Sequence, residues 1–143
     1  MVDKIFIKER LVNGLMELER QKKVGGVLIK CIKTGNVFLL LRNDKKPTWA
    51  LMSGTIDIGE NVLDGLKREI YEELFINPTN IVFNFIRIEQ IPSKNREFHY
   101  YEGFVKEEFK PILDEENLNY GWFPKDKLPA PLYPDLIDKI KNI

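Results

Sequence analysis

The stretch from Asn61 to Leu74 limits the fold more than any other part of the chain. Val62, Leu66, Ile70 and Leu74, with Leu63 beside them, recur at helical spacing and form one apolar stripe, and Gly59 breaks the chain just before it. A helix with one apolar stripe must lay it on another element. On both sides the chain supplies runs rich in β-branched and aromatic residues: VGGVLIKCIK, a TGN turn and VFLLLR; then WALMSG; then IVFNFIRIEQ and REFHYYEGFV around an IPSKN loop; then LNYGWF. PKDKLP reads as a short turn of helix and residues 134–143 as a closing helix. Strands surrounding one central helix predict an α/β domain, with a mixed sheet carrying helices on its faces.

The chain's 143 residues suit one domain with a full core. Residues 5–20 place Ile7, Leu11, Leu15 and Leu18 at roughly helical spacing, which predicts an amphipathic helix; Asn13-Gly14 keeps a hairpin as the alternative. The expected division is an extension over residues 1–22, packing on the domain or on a second copy as a homodimer, and a domain over residues 23–143.

Lys plus Arg and Asp plus Glu both number 22, so net charge supplies no general attraction to nucleic acid or membrane. The longest apolar runs, such as VFLLL at 37–41, are too short to span a bilayer, and MVDKIFIKERL lacks the apolar stretch of a secretory signal. The single cysteine, Cys31, excludes an internal disulfide, reads as a small core residue and fits a cytoplasmic setting. The single histidine, His99, rules out a histidine cluster, so any metal is expected on oxygen.

Glu69, Glu72 and Glu73 stand at i, i+3 and i+4 on the expected helix, sharing one face about 5–6 Å apart at Cβ. Like charges at this spacing repel, and they lie near the helix C-terminus, where the macrodipole disfavours them. Lys67 and Arg68 on a solvated face are one form of compensation. Mg²⁺ or Mn²⁺, hard cations that prefer carboxylate and carbonyl oxygen, are the other. Spacing alone leaves both open.

The wider pattern is more specific. Gly54, Glu60, Arg68, Glu69, Ile70, Glu72, Glu73 and Ile76 occupy eight of the nine specified positions of the Nudix box, a match expected by chance less than about once in a million starting points. The sequence therefore resembles the Nudix hydrolases over roughly residues 23–130, with Trp49-Ala50-Leu51, Trp122-Phe123 and Leu128-Pro129 as further family-like features. The resemblance implies an α/β/α sandwich around a mixed sheet, with the box as a loop–helix–loop, and metal-dependent cleavage of a nucleoside diphosphate linked to another group. It implies Glu72 and Glu73 as central metal ligands and Glu69 as a ligand or as the base. It also implies Arg68 orienting Glu69, Glu60 in an ion pair, and the Ser53 carbonyl as a further ligand. The sequence departs from the family at Met52-Ser53, where Pro-Gly is usual, and at Phe75, where the box has glycine. A bulky residue there makes the helix ending the least expected feature.

Glu116, in the LDEEN loop, is the expected loop acid for metal or catalysis, with an exposed acidic turn as its alternative. Arg42 and Tyr101 are expected to meet phosphate and base, against a solvated Arg and a core aromatic. The expected substrate is a small nucleotide: a nucleoside triphosphate, a dinucleoside polyphosphate, ADP-ribose or a nucleotide sugar. Capped RNA is less favoured. A nucleotide-sensing module without turnover is the rival reading.

Overall fold

The computed structural model describes residues 22–143; the expected helix over residues 5–20, and its role in a dimer, lie outside them. The centre of the sheet is β1 (Lys22–Cys31), whose Val27, Leu28 and Ile29 are wholly buried. One edge of β1 pairs in parallel with β6 (Arg96–Val105), and β6 pairs antiparallel with β5 (Val82–Ile91). The other edge is shared. The first half pairs antiparallel with β4 (Met52–Thr55), and Ile29 and Lys30 pair with β2 (Val37–Arg42). β2 also pairs antiparallel with β3 (Trp49–Ala50) and with β7 (Asn117–Phe123). One parallel ladder among antiparallel ones makes the sheet mixed, as the helix–strand pattern predicts.

Alternation along each strand feeds two cores. Val27, Ile29, Phe38, Leu40, Met52 and Tyr101 face α1 (Val62–Leu74) and pack on its stripe of Leu66, Ile70 and Leu74. Leu28, Val37, Leu39, Leu51 and Tyr100 face α2 (Leu136–Asn142) and pack on Leu136 and Ile140. Helix on sheet on helix is the expected α/β/α sandwich. Each fully buried aliphatic side chain adds about 1.5–3 kcal/mol of favourable transfer energy, so both faces are needed to hold a sheet this size.

Three expectations change. WALMSG is two strands, because the chain leaves β2 after Ala50 and joins β1 at Met52, with Leu51 between them turned into the α2-side core. PKDKLP is a turn without helix, and the closing helix starts at Leu136. α1 does end at Leu74, with Phe75 taking the left-handed conformation (φ 53°, ψ 41°) that glycine would supply more cheaply. Its N–H still donates to the Tyr71 carbonyl at 2.9 Å, and its ring lies 5.5 Å from that of Tyr71. Tertiary contacts finish the cap: Ile112 N–H donates to Leu74 O at 2.9 Å and Asp114 N–H to Glu73 O at 3.2 Å. Two helix-end carbonyls thereby gain partners that compensate a backbone conformation costing about 1–2 kcal/mol.

Candidate active site

α1 presents its polar side beside β4. At its start, Asn61 Oδ1 accepts from the N–H groups of Leu63 and Asp64, fixing the first turn. Gly54 of β4 lies directly under Glu69: a Cβ there would stand 2.3 Å from Glu69 Cγ and 2.6 Å from its Cβ. The missing side chain thus lets the helix settle on the strand, with Glu69 at the contact. Ser53, adjacent in β4, is on the same strip of backbone.

Arg68 organises the acids. Its Nε and Nη2 donate to Glu60 Oε2 and Oε1, both at 2.9 Å, in a two-pronged pair. Its Nη1 donates to Glu69 Oε1 at 3.2 Å and Glu72 Oε2 at 3.0 Å. Asp57 Oδ2 adds a contact at 3.4 Å. Glu60 also accepts from Asp57 N–H at 2.8 Å, and with Arg68 beside it its carboxyl is held down at about 2. The Arg68 guanidinium is stabilised in its charged form by Glu60 above all.

Glu73 is different. It is only 5% exposed, and burial pushes its carboxyl well up, with Glu69 and Asp114 adding negative potential. Burial likewise raises Glu69, against the pull of Arg68. Each of the two carboxyls acts on the other's charge. One side of the cluster is therefore neutralised by Arg68, and the Glu69–Glu73 side is short of positive charge.

A NUDIX domain model matches residues 20–142 of the chain, most of its length and the whole of this site. The chain belongs to the NUDIX family. Among solved structures, a NUDIX-family hydrolase from Clostridium perfringens superposes with a TM-score of 0.71 at 16% identity, over 86% of this chain and 95% of the other. An Ap4A hydrolase of C. elegans gives 0.70 at 17% identity, over 83% and 93%. An ADP-ribose pyrophosphatase of Streptococcus suis gives 0.62 at 20% identity, over 85% and 87%. These likenesses show the fold. A search of curated proteins finds no match to the chain. Its Nudix box is the loop–helix–loop from β4 through α1.

The other expected residues of this Nudix domain are dispersed. Glu116 is held by its backbone, donating to Asp114 Oδ1 at 3.0 Å and accepting from Asn43 N–H at 3.0 Å. Among the described residues, no hydrogen bond or ion pair joins its side chain to the α1 acids; the loop acid whose charge acts on Glu73 is Asp114. Tyr101 belongs to the α1-side core, with Phe83 and Phe85 set edge-on to its ring, the packing expected of the core aromatic named as its alternative. Arg42 lies 3.7 Å from Asp44 and lines a cleft of about 610 Å³ that also reaches Ser53. Lys94, Arg96 and Tyr133 line the same cleft. Asn117, buried and bonded to Glu73, was not apparent from sequence; an asparagine opening a strand carries no pattern that marks it.

Proposed function

We infer that the protein hydrolyses a pyrophosphate linkage in a small nucleotide, assisted by Mg²⁺ or Mn²⁺ on the carboxylates of α1. The carrying observation is the charge imbalance: Glu73 is buried beside Glu69 and Asp114 and, among the described residues, no cation is paired with it. Among the described residues no three ligating groups already converge on one point, since Arg68 draws Glu69 and Glu72 towards itself. The donor set nonetheless fits a hard divalent ion: three carboxylates on adjoining helical turns and the carbonyl of Ser53 on the neighbouring strand. Glu69, Glu72, Glu73 and Ser53 would hold it. When bound, it would neutralise phosphate oxygens and acidify bound water.

The chain's own residues supply the remaining functions. Glu69, made more basic by burial and held by Arg68, is placed to take a proton from attacking water. Glu60 anchors Arg68 at two points, so Arg68 keeps its orientation when Glu72 turns away. The cleft beside Ser53 has the volume of a small-molecule site, and its Arg42, Lys94 and Arg96 suit phosphates. Nucleoside triphosphates, dinucleoside polyphosphates, ADP-ribose and nucleotide sugars all fit this chemistry. The proposed setting is the cytoplasm, where the free, buried Cys31 stays reduced.

A phosphate-release screen over a nucleotide panel with Mg²⁺ or Mn²⁺ tests the reading. Turnover of at least one compound is expected, falling about a hundredfold or more in Glu73→Gln. Turnover unaffected by Glu73→Gln overturns the proposed site, and no turnover on any compound favours a nucleotide sensor.

A further inference from the structure

The first residue of β7 is connected to the acidic cluster from outside the Nudix box. Asn117 is 5% exposed, and its Nδ2 donates to Glu73 Oε1 at 3.1 Å, across 44 residues of sequence. Its Oδ1 is buried and, among the described residues, has no partner. A buried amide with one end unsatisfied is expensive, and apolar packing alone would be served better by Leu.

Sheet register shows how Asn117 reaches this position. β7 pairs Tyr120 with Leu40 and Asn119 with Leu41, but Arg42 pairs with Asn117, so Leu118 is an extra residue in the ladder. Tyr120 and Trp122 face α1. Strict alternation from Tyr120 would put Leu118 on that side and turn Asn117 away. The bulge reverses the parity, leaving Leu118 half exposed and Asn117 against Glu73. Asn43 secures the segment, donating from its side chain to Glu115 O at 2.9 Å and from its backbone to Glu116 O at 3.0 Å.

We propose that Asn117 is a positioning residue for the metal site: its amide holds one Glu73 oxygen so that the carboxylate is presented in one orientation to the divalent cation. The inference rests on Glu73 being a ligand. Hydrogen-bond partners of metal ligands commonly affect metal affinity by about 10–100-fold. Asn117→Leu keeps the size, removes the donor and removes the orphaned oxygen.

Mn²⁺ affinity, read from the free-ion signal in electron paramagnetic resonance, is the test. Asn117→Leu is expected to weaken Mn²⁺ binding at least about tenfold while the metal-free protein keeps its circular dichroism and a single cooperative melt. In a Glu73→Gln background the same substitution is expected to change Mn²⁺ affinity less than about twofold, because its route is already removed. Should the leucine variant not fold, Asn117→Ser, whose hydroxyl is too short to reach Glu73, is read the same way. Unchanged Mn²⁺ affinity in the single variant, or an equal loss in both backgrounds, overturns the proposal. Wild-type protein that binds no Mn²⁺ overturns the metal reading itself, which distinguishes the two failures.

Discussion

Burial, Glu69 and Asp114 all push the Glu73 carboxyl towards its protonated form, in that order of size. Below the ordinary carboxylate value of 4.5 the group is protonated in folded and unfolded chains alike, so no penalty exists there. As pH rises, the unfolded chain ionises first, and stability is lost as the folded carboxyl is forced to follow. Glu73→Gln removes that penalty and retains an oxygen to accept from Asn117. The metal-free variant is therefore expected to melt a few degrees above wild type at alkaline pH, each pKa unit being worth about 1.4 kcal/mol, with the gap closing at about pH 4. Scanning calorimetry across pH checks this, and a gap that widens towards acid contradicts it. Glu60 has the opposite sign. With its carboxyl held at about 2 by Arg68, its contribution to stability is present above 4.5 and is lost as pH falls towards 2. At this scale the sequence was informative: residue type and spacing showed that Arg68 and the glutamates stand together. Which carboxylate is buried depended on β7, far away in sequence.

At the scale of elements, the loop–helix–loop works because α1 sits down on β4 at a glycine. Gly54→Ala would drive a methyl into the Glu69 stem, at 2.3–2.6 Å. The helix must lift or Glu69 must move, and overpacking of this kind costs about 1–3 kcal/mol. A lower melting temperature and loss of turnover are both expected, checked by thermal melts beside the phosphate-release assay; wild-type activity in Gly54→Ala would show that the contact is unimportant. The position of this helix was readable from its stripe and from Asn61, since both signals lie within a few residues of the structure they specify. The division of WALMSG was not. A run of six apolar or small residues looks the same whether it serves one partner strand or two, and the switch at Leu51 is decided by which edge of β1 and β2 is vacant.

Across the whole molecule, two cores on opposite faces of one sheet hold the acidic helix and the cleft at the same strand, with Gly54 against Glu69 and Ser53 lining the cleft. A ligand bound only by the folded protein stabilises all of it. At about ten times its dissociation constant Mg²⁺ is expected to add about 1.4 kcal/mol, raising the melting temperature by roughly 3–7 °C in a domain this size. Wild type should show this shift and Glu73→Gln much less of it; equal shifts in both would place the ion elsewhere. Among the described residues no helix is long and apolar enough to cross a membrane.

Local order came from the sequence alone: the helix stripe, its asparagine start, the alternating strands and the acidic side of α1 all arise from contacts between near neighbours. Tertiary structure decided the rest. The register shift that turns Asn117 inward, the crossing of residues 112–114 under the end of α1, the core position of Tyr101 and the shared edge of β1 all join residues remote along the chain. Such pairings are selected by the packing of the whole sheet, and no short window of sequence contains both partners.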